Sequence, residues 1–270
     1  MSEFYIKYFK AGKSLPIIAG ACIIEDNEVP FVIAEKLSTL KSKGIPVVYK
    51  ASFDKANRSS IKSFRGIGLN KALNIIKEVK LKYKLPILID VHEVWQIEKV
   101  SEVADLLQIP AFLCRQTDLV VESAKTGKII NVKKGQFISP WEVKFIIEKI
   151  VSTGNDNILI TERGFIFGYQ NLVVDMRVFP IVKDLGVPVI YDATHSVQLP
   201  GAGNMSSGGM REFIEPLAFA AIAAGACGIY MEVHPEPENS PSDKAVIYPL
   251  DKLEIFYTKL NKLFNFIQEL

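Results

Sequence analysis

The sequence predicts one α/β domain, a (β/α)8 or TIM barrel that extends over residues 1–270. Its length of 270 residues is close to the roughly 250 residues of a typical barrel of this kind. Short apolar runs alternate with longer amphipathic segments, and no linker or change of composition marks a second domain. An open doubly wound sheet has the same alternation, but eight repeats without a dinucleotide-binding glycine motif favour the closed barrel.

Eight apolar runs are the candidate strands, and the segments between them are candidate helices. The strands are predicted at residues 15–22, 46–52, 86–92, 106–111, 129–135, 158–164, 188–195 and 228–234. The helices are predicted at residues 29–43, 69–84, 139–150, 209–224 and 250–270. The third of these begins with Ser139 and Pro140, which suit the N-cap and the first helical position. Residues 1–14 are expected to form a β-hairpin that caps the bottom of the barrel.

The composition excludes several classes of protein. Lys and Arg number 32 and Asp and Glu number 30, so the net charge of +2 gives no general attraction to nucleic acid or to a membrane surface. The longest apolar run, residues 216–231, is shorter than the ~20 residues of a spanning helix. Three scattered cysteines argue against a disulfide framework, and no signal-peptide core is visible, so we expect a cytoplasmic protein.

Polar side chains follow the predicted strands almost without exception. In (β/α)8 barrels the active site lies at the carboxyl ends of the strands, and a charged group there costs free energy unless it is paired. The sequence therefore predicts a functional rim. Its residues are Cys22, Lys50, Asp90, His92, Gln108, Lys133, Glu162, Arg163, Asp192, His195, Glu232 and His234.

Cations dominate one part of this rim. The loop "KASFDKANRSS", residues 50–60, has the lysines, arginine and hydroxyls that suit a phosphate monoester, although a solvated basic loop would look the same. Lys133, Arg115 and Arg163 come from other strands and would converge with it only in a barrel. Such convergence predicts two anionic ligands, or one ligand with two charged ends.

A second group of rim residues suits a metal ion. Cys22, His195 and Glu232 follow the first and the last two strands, and Asp243 lies on the final loop. Thiolate, imidazole and carboxylate together fit Zn²⁺, Fe²⁺ or Mn²⁺. No short ligand spacing supports the metal, so the residues alone leave open that Cys22 is a packed thiol. We expect Cys114 and Cys227 in the core, and the glycine-rich residues 201–209 as a mobile loop over the site.

Long motifs give the chain a family resemblance. The segments "KASFDKANRSS", "QIPAFLCRQTDL", "NVKKGQF", "TERGFIFGYQNLVVD", "YDATHSVQLPG", "SGGMREF" and "MEVHPEPENSPSD" resemble those of 3-deoxy-D-manno-octulosonate 8-phosphate synthases, also called 2-dehydro-3-deoxyphosphooctonate aldolases. The resemblance begins near residue 15 and continues to the last helix. It implies a homotetrameric transferase of lipopolysaccharide biosynthesis, which condenses phosphoenolpyruvate with D-arabinose 5-phosphate and releases phosphate.

The resemblance also implies a role for each matching residue. Phosphoenolpyruvate would be held by Lys50, Lys55, Arg115, Lys133 and Arg163, with Gln108 nearby. Arabinose 5-phosphate would be held by Asn57, Arg58 and Ser59, on a loop near a neighbouring subunit's site, and Asp90 would line the sugar chain. Cys22 marks the metal-dependent class of the family, with His195, Glu232 and Asp243 as the other ligands. His195 or Asp243 would assist proton movement.

Three other functions remain open on the sequence. The related synthase of aromatic biosynthesis uses erythrose 4-phosphate, although the "ANRSS" segment favours the pentose. A Schiff-base aldolase would use Lys50 or Lys133. A non-catalytic phosphosugar-binding protein would not need the set of candidate metal ligands.

Overall fold

Eight parallel strands form a closed barrel in the computed structural model, which describes residues 3–10, 14–202 and 208–270. Each strand pairs with the next along the chain, and the last pairs with the first, with Ile17 opposite Ile229. The predicted fold and all eight predicted strands are confirmed. The strands are β1 (Ile17–Gly20), β2 (Val47–Ala51), β3 (Ile87–Asp90), β4 (Leu106–Ile109), β5 (Ile129–Lys133), β6 (Ile158–Glu162), β7 (Val189–Asp192) and β8 (Gly228–His234).

Helices surround the barrel in the expected alternation. They are α1 (Val29–Ser42), α2 (Leu69–Tyr83), α3 (Ile97–Val103), α4 (Thr117–Lys125), α5 (Val143–Val151), α6 (Val178–Lys183), α7 (Ile214–Ala223) and α8 (Leu253–Gln268). Ser139 and Glu142 form a capping box on the 3₁₀ turn that precedes α5, which confirms the predicted start. The helix predicted from residue 209 begins later, because Gly209 pairs with Gln198 in a short antiparallel ribbon.

The N-terminal segment is helical, so the predicted hairpin is wrong. Residues Glu3–Tyr5 are α-helical and residues Ile6–Lys10 continue as a π-helix. Tyr5 and Phe9, four residues apart, share one face of the helix and pack inside the barrel against the first residues of the strands. The Tyr5 hydroxyl donates a hydrogen bond to the carbonyl of Ile158 at 2.6 Å. The segment therefore covers the barrel bottom, as expected, with helical rather than β periodicity.

The barrel interior changes character from bottom to top. Its lower layer is apolar and includes Ile18, Val48, Leu88 and Leu159. The upper ends of the strands instead carry buried charged residues, among them Lys50 and Glu232. The apolar run at residues 216–231 divides into α7, a turn at Gly225 with φ of 102°, and β8. Among the described residues, no helix is both long and apolar enough to span a membrane.

Candidate active site

A cavity of about 330 Å³ opens at the carboxyl ends of the strands, where the sequence predicts the site. It brings most of the predicted residues together. Those that line it are Lys50, Lys55, Asn57, Arg58, Ser59, Asp90, Gln108, Lys133, Arg163, His195, Glu232 and Asp243. Cys22 lies buried beside it, with its Sγ 3.3 Å from Asp243 Oδ2. Four other predicted site residues do not line the cavity, namely Arg115, Glu162, Asp192 and His234. The Arg115 side chain is exposed, whereas the other three are buried, and His234 Nε2 lies 3.0 Å from Glu25 Oε1.

A buried ion pair joins the first, second and last strands. The register places Gly20 of β1 beside Lys50 on one side and Glu232 on the other. A Cβ at Gly20 would lie 1.8 Å from the Lys50 carbonyl oxygen, so only glycine fits between them. Lys50 Nζ lies 2.6 Å from Glu232 Oε1, and both side chains are 1% exposed. The same ammonium donates to the carbonyls of Ala21 and Cys22, at 3.2 and 3.1 Å. All three strands are thereby fixed at the rim.

Glu232 is held in its charged form. Burial raises the pKa of its carboxyl, but the positive charges of Lys50 and Lys55 outweigh burial and leave the pKa well below its usual value. Lys55 Nζ lies 3.4 Å from the same Oε1 atom. The second oxygen, Oε2, is buried and accepts no hydrogen bond from the described part of the chain. It lies 3.4 Å from Nε2 of His195. The Oε1 atom is therefore paired with two ammonium groups, whereas the Oε2 atom is available to a ligand.

A second buried pair connects Lys133 to His195 through Asp192. Lys133 Nζ contacts Asp192 Oδ2 and lies 3.3 Å from the centre of the Tyr230 ring. Burial lowers the pKa of Lys133 to about 8, in spite of the opposing attraction of Asp192. Asp192 Oδ2 also lies 2.8 Å from His195 Nδ1, and Oδ1 accepts the His195 backbone N–H at 2.9 Å. The imidazole is therefore held in one orientation, with Nδ1 donating to Asp192 and Nε2 directed at Glu232.

Arg163 presents an unused donor to the cavity. Its Nη2 donates to Gln198 Oε1 at 2.6 Å, whereas Nη1 is buried and makes no hydrogen bond with any residue that the structure describes. Gln198 Nε2 in turn donates to Asp243 Oδ1 at 3.0 Å. Glu162, the neighbour of Arg163 in the sequence, pairs with Lys134 instead. A guanidinium with a free nitrogen in a buried cavity is suited to an anionic ligand.

The candidate metal ligands meet at the edge of the cavity. One ligand atom from each of Cys22, Glu232 and Asp243 lies within 4.8 Å of the others. Asp243 has a φ of 47°, a left-handed backbone that is uncommon outside glycine and occurs most often at functional sites. Its carboxylate is oriented by Ser242 Oγ at 2.7 Å and by Gln198. With His195 Nε2 beside Glu232, these residues could hold one metal ion.

The remaining predicted residues form the outer part of the site. Asn57 and Ser59 are exposed at the mouth, and Arg58 is half-buried with an Nη2 atom that has no hydrogen-bond partner in residues 3–10, 14–202 and 208–270. Asp90 lies deeper, with Oδ2 3.3 Å from His92 Nε2 and an unpaired Oδ1. Burial raises the pKa of Asp90, but the contact with His92 and the nearby lysines more than reverse this effect. The mouth therefore has free donors, and the interior has a free carboxylate oxygen.

Several cavity residues were not predicted from the sequence, and strand alternation could have identified one of them, Tyr230. Tyr230 lies two residues before Glu232 on β8, so strand alternation places both on the inner face. Gln198 and Gln136 follow irregular turns, where no periodicity indicates direction. The expectation of a core position is confirmed for Cys114, whereas Cys227 is half-buried and packs against the apolar layer at the barrel bottom. The loop predicted over the site falls partly on residues 203–207, which lie outside the described residues.

Fold and site together define a (β/α)8-barrel protein with a buried, cation-rich ligand cavity. The chain belongs to the DAHP synthetase I family, whose sequence model matches residues 6–269. A protein of Geotalea daltonii is 50% identical over 266 residues, which cover 97% of this chain and 98% of the relative. Proteins of Trichlorobacter lovleyi and a Geobacter species are 51% and 52% identical over 253 residues, 93% of each chain. All three are named 2-dehydro-3-deoxyphosphooctonate aldolase.

Removing one partner of the buried pair of Lys50 and Glu232 should destabilise the fold far more than removing one partner of a surface pair. We expect Lys50→Met to lower the free energy of unfolding by about 3 kcal/mol, because a buried carboxylate loses its principal partner. Lys36→Met is the matched control, since Lys36 pairs with Glu254 at 2.9 Å but both side chains are about 30% exposed. Its effect should stay below about 1 kcal/mol. Urea unfolding measures both, and equal losses would contradict the importance given to burial.

Proposed function

We propose that this chain condenses phosphoenolpyruvate with D-arabinose 5-phosphate and water, giving 3-deoxy-D-manno-octulosonate 8-phosphate and phosphate. The observation that carries the proposal is the cavity itself, in which cations from β2 and its loop, from β5 and from the end of β6 converge; they are Lys50, Lys55, Lys133 and Arg163. A cavity with this many cations suits two substrates that are both phosphate esters. The shared name of the relatives supports the pentose substrate over erythrose 4-phosphate.

The two ends of the cavity suit different substrates. Lys133 and the free Nη1 of Arg163 lie at the inner end, where they would hold the phosphate and carboxylate of phosphoenolpyruvate. Asn57, Arg58 and Ser59 lie at the mouth, where they would bind the phosphate of the pentose. The sugar chain would extend inward from the mouth. This arrangement orients two mutually repelling anions for reaction and offsets their charge.

The reaction needs one carbon–carbon bond and one molecule of water. The methylene carbon of phosphoenolpyruvate attacks the sugar aldehyde, and water adds to the resulting cationic carbon. The hemiketal phosphate then loses phosphate to give the keto acid. Asp90 has a free carboxylate oxygen for a sugar hydroxyl, and His195 and Asp243 are positioned to move protons. A Schiff base is not required, and Lys50 suits one poorly because its ammonium already has three oxygen partners.

Arg58 provides a direct test of the pentose site. We expect wild-type protein to release phosphate only when both substrates are present, and Arg58→Ala to raise KM for arabinose 5-phosphate roughly tenfold or more. KM for phosphoenolpyruvate should hardly change. Arg65→Ala is the control, because Arg65 is on the same loop but pairs with Asp54 outside the cavity. Turnover of phosphoenolpyruvate with erythrose 4-phosphate but not with arabinose 5-phosphate would favour the synthase of aromatic biosynthesis instead. Trapping of a lysine adduct by borohydride would favour a Schiff-base aldolase.

We also infer that Cys22, His195, Glu232 and Asp243 hold one divalent ion, Zn²⁺, Fe²⁺ or Mn²⁺. The fit rests on two atoms that face each other at 3.4 Å, the buried Glu232 Oε2, which accepts no hydrogen bond from a described residue, and Nε2 of the partly buried His195. Asp192 fixes the opposite nitrogen of the imidazole, as carboxylates do for metal-binding histidines. When bound, the ion would supply Lewis-acid chemistry that orients and polarises the aldehyde. Burial raises the pKa of the Cys22 thiol, so metal binding must release its proton.

Cobalt(II) reports on this site independently of activity. We expect metal-free protein to bind about one Co²⁺ with a thiolate-to-cobalt absorption band, and Cys22→Ser to lose that band. Cys114→Ser should keep it, because Cys114 is buried among core residues away from the candidate ligands. Dipicolinate should remove activity, and added metal should restore it. Binding of cobalt without the thiolate band would show that Cys22 is a packed thiol and not a metal ligand.

We propose a homotetramer in which the loop carrying Asn57, Arg58 and Ser59 lies near a neighbouring site. Exposed aromatic side chains on the loops and helix after β4, β5 and β6 support an assembly, because surfaces of this kind usually become interfaces. They are Phe112, Phe137, Trp141, Phe145, Phe167 and Tyr169. Sedimentation velocity should give about four times the 30.1 kDa chain mass, and Trp141→Glu should shift it to smaller species. A monomer at assay concentrations would contradict the proposal.

We place this reaction in the cytoplasm, as a step of lipopolysaccharide biosynthesis. Three free thiols, Cys22, Cys114 and Cys227, support a reducing compartment. The proposed product, an eight-carbon keto sugar acid phosphate, is the basis for the assignment to lipopolysaccharide biosynthesis.

A further inference from the structure

Lys134 and Glu162 form an ion pair that is buried next to the cavity but does not line it. Both side chains are fully buried, and Lys134 Nζ lies 3.4 Å from Glu162 Oε2. Lys134 directly follows Lys133, and Glu162 directly precedes Arg163. Since neighbouring side chains alternate between the two faces of a strand, Lys133 and Arg163 enter the cavity while this pair lies on the other side of the wall.

Lys134 fixes the turn that follows β5. Its ammonium donates to the carbonyl oxygens of Gly135 and Ile138, at 3.2 and 3.3 Å. It also lies 3.5 Å from the centre of the Phe165 ring, a cation–π contact with the loop that follows β6. The turn carries Gln136, which lines the cavity with an Oε1 atom to which no described residue donates a hydrogen bond.

Glu162 fixes the turn that follows β6. Its Oε1 accepts the backbone N–H of Gly164, the residue directly after Arg163. Its Oε2 makes no hydrogen bond, so Lys134 supplies the positive charge that stabilises it. The backbone of Gln136 accepts the N–H of Ile166 at 3.0 Å, which joins the two turns directly. The ion pair therefore connects the two segments that present Lys133, Gln136 and Arg163.

Stability alone is a poor explanation for this pair. Removing two charges from water costs about as much free energy as their attraction returns, and apolar side chains of similar size are often as stable. Here burial raises the pKa of Glu162 and lowers the pKa of Lys134, in spite of their mutual attraction. The charged pair is thus costly in this position. The pair makes oriented hydrogen bonds to the two turns, which apolar side chains cannot make, and this accounts for its presence.

We propose that Lys134 and Glu162 are positioning residues that set the geometry of Lys133, Gln136 and Arg163 for an anion with two charged ends. Under the proposed function, on which this inference rests, that ligand is phosphoenolpyruvate. The pair does not touch the ligand. It acts by fixing the spacing of two cations on adjacent strands, and errors of about 1 Å in such spacing weaken binding and catalysis strongly.

The test compares phosphoenolpyruvate binding with stability in three variants. Glu162→Gln removes one charge, Lys134→Met removes the other, and Lys134→Met/Glu162→Leu removes both charges and their hydrogen bonds. Calorimetry should show phosphoenolpyruvate bound roughly tenfold more weakly in each, with a matching rise in its KM. KM for arabinose 5-phosphate should stay within about twofold. The double variant should regain much of the Tm that the single variants lose, without regaining affinity.

Asn155→Ala is the matched control at the opposite end of the same two strands. Asn155 is buried and donates to the carbonyls of Ala124 and Lys128, at 3.0 and 2.8 Å. It should lower Tm and leave phosphoenolpyruvate binding unchanged. Wild-type affinity in Glu162→Gln and in the double variant would overturn the positioning role. Wild-type protein that binds phosphoenolpyruvate but forms no product would overturn the proposed reaction alone, and failure to bind it would overturn both.

Discussion

The site depends on a balance of buried charges at the upper end of the barrel. Lys50 and Glu232, and Lys133 and Asp192, are cation–carboxylate pairs held almost entirely out of water. Such pairs add little net stability, because desolvation offsets most of their attraction. What they provide is a set of polar atoms whose directions are fixed before any ligand arrives. The atoms left over, such as Nη1 of Arg163, are then the ones available for binding.

Shared carboxylates couple the anion-binding and candidate metal-binding parts of this site. Glu232 contacts Lys50 and Lys55 through Oε1 and faces His195 through Oε2. Asp192 in the same way holds Lys133 and His195. A positive charge brought to one side of either carboxylate weakens its hold on the lysine at the other side, which makes that lysine more available to an anion. Under the proposed function, a cation and an anion bound at this rim would therefore favour each other's binding.

The sequence predicts the barrel well and the orientation of individual side chains less well. Buried parallel strands are nearly continuous apolar runs, so all eight were visible, and the polar residue after each run marked the rim. The N-terminal hairpin was wrong because aromatic residues four apart, such as Tyr5 and Phe9, pack on one helical face. Gln198 follows a 3₁₀ turn, and Arg115 lies between two short helical segments, so neither has a periodicity from which its direction follows.

Closure of the barrel is the step that creates the candidate metal site. Cys22 and Asp243 are 221 residues apart, and they meet only because β8 returns to pair with β1. The register of that pairing places Gly20 opposite Glu232, which leaves space for the Glu232 side chain to reach Lys50 across β1. A shift of one residue would turn Glu232 to the outer face and bring Val233 inward. The ion pair across Gly20 therefore requires this register, and the same register brings the candidate metal ligands together.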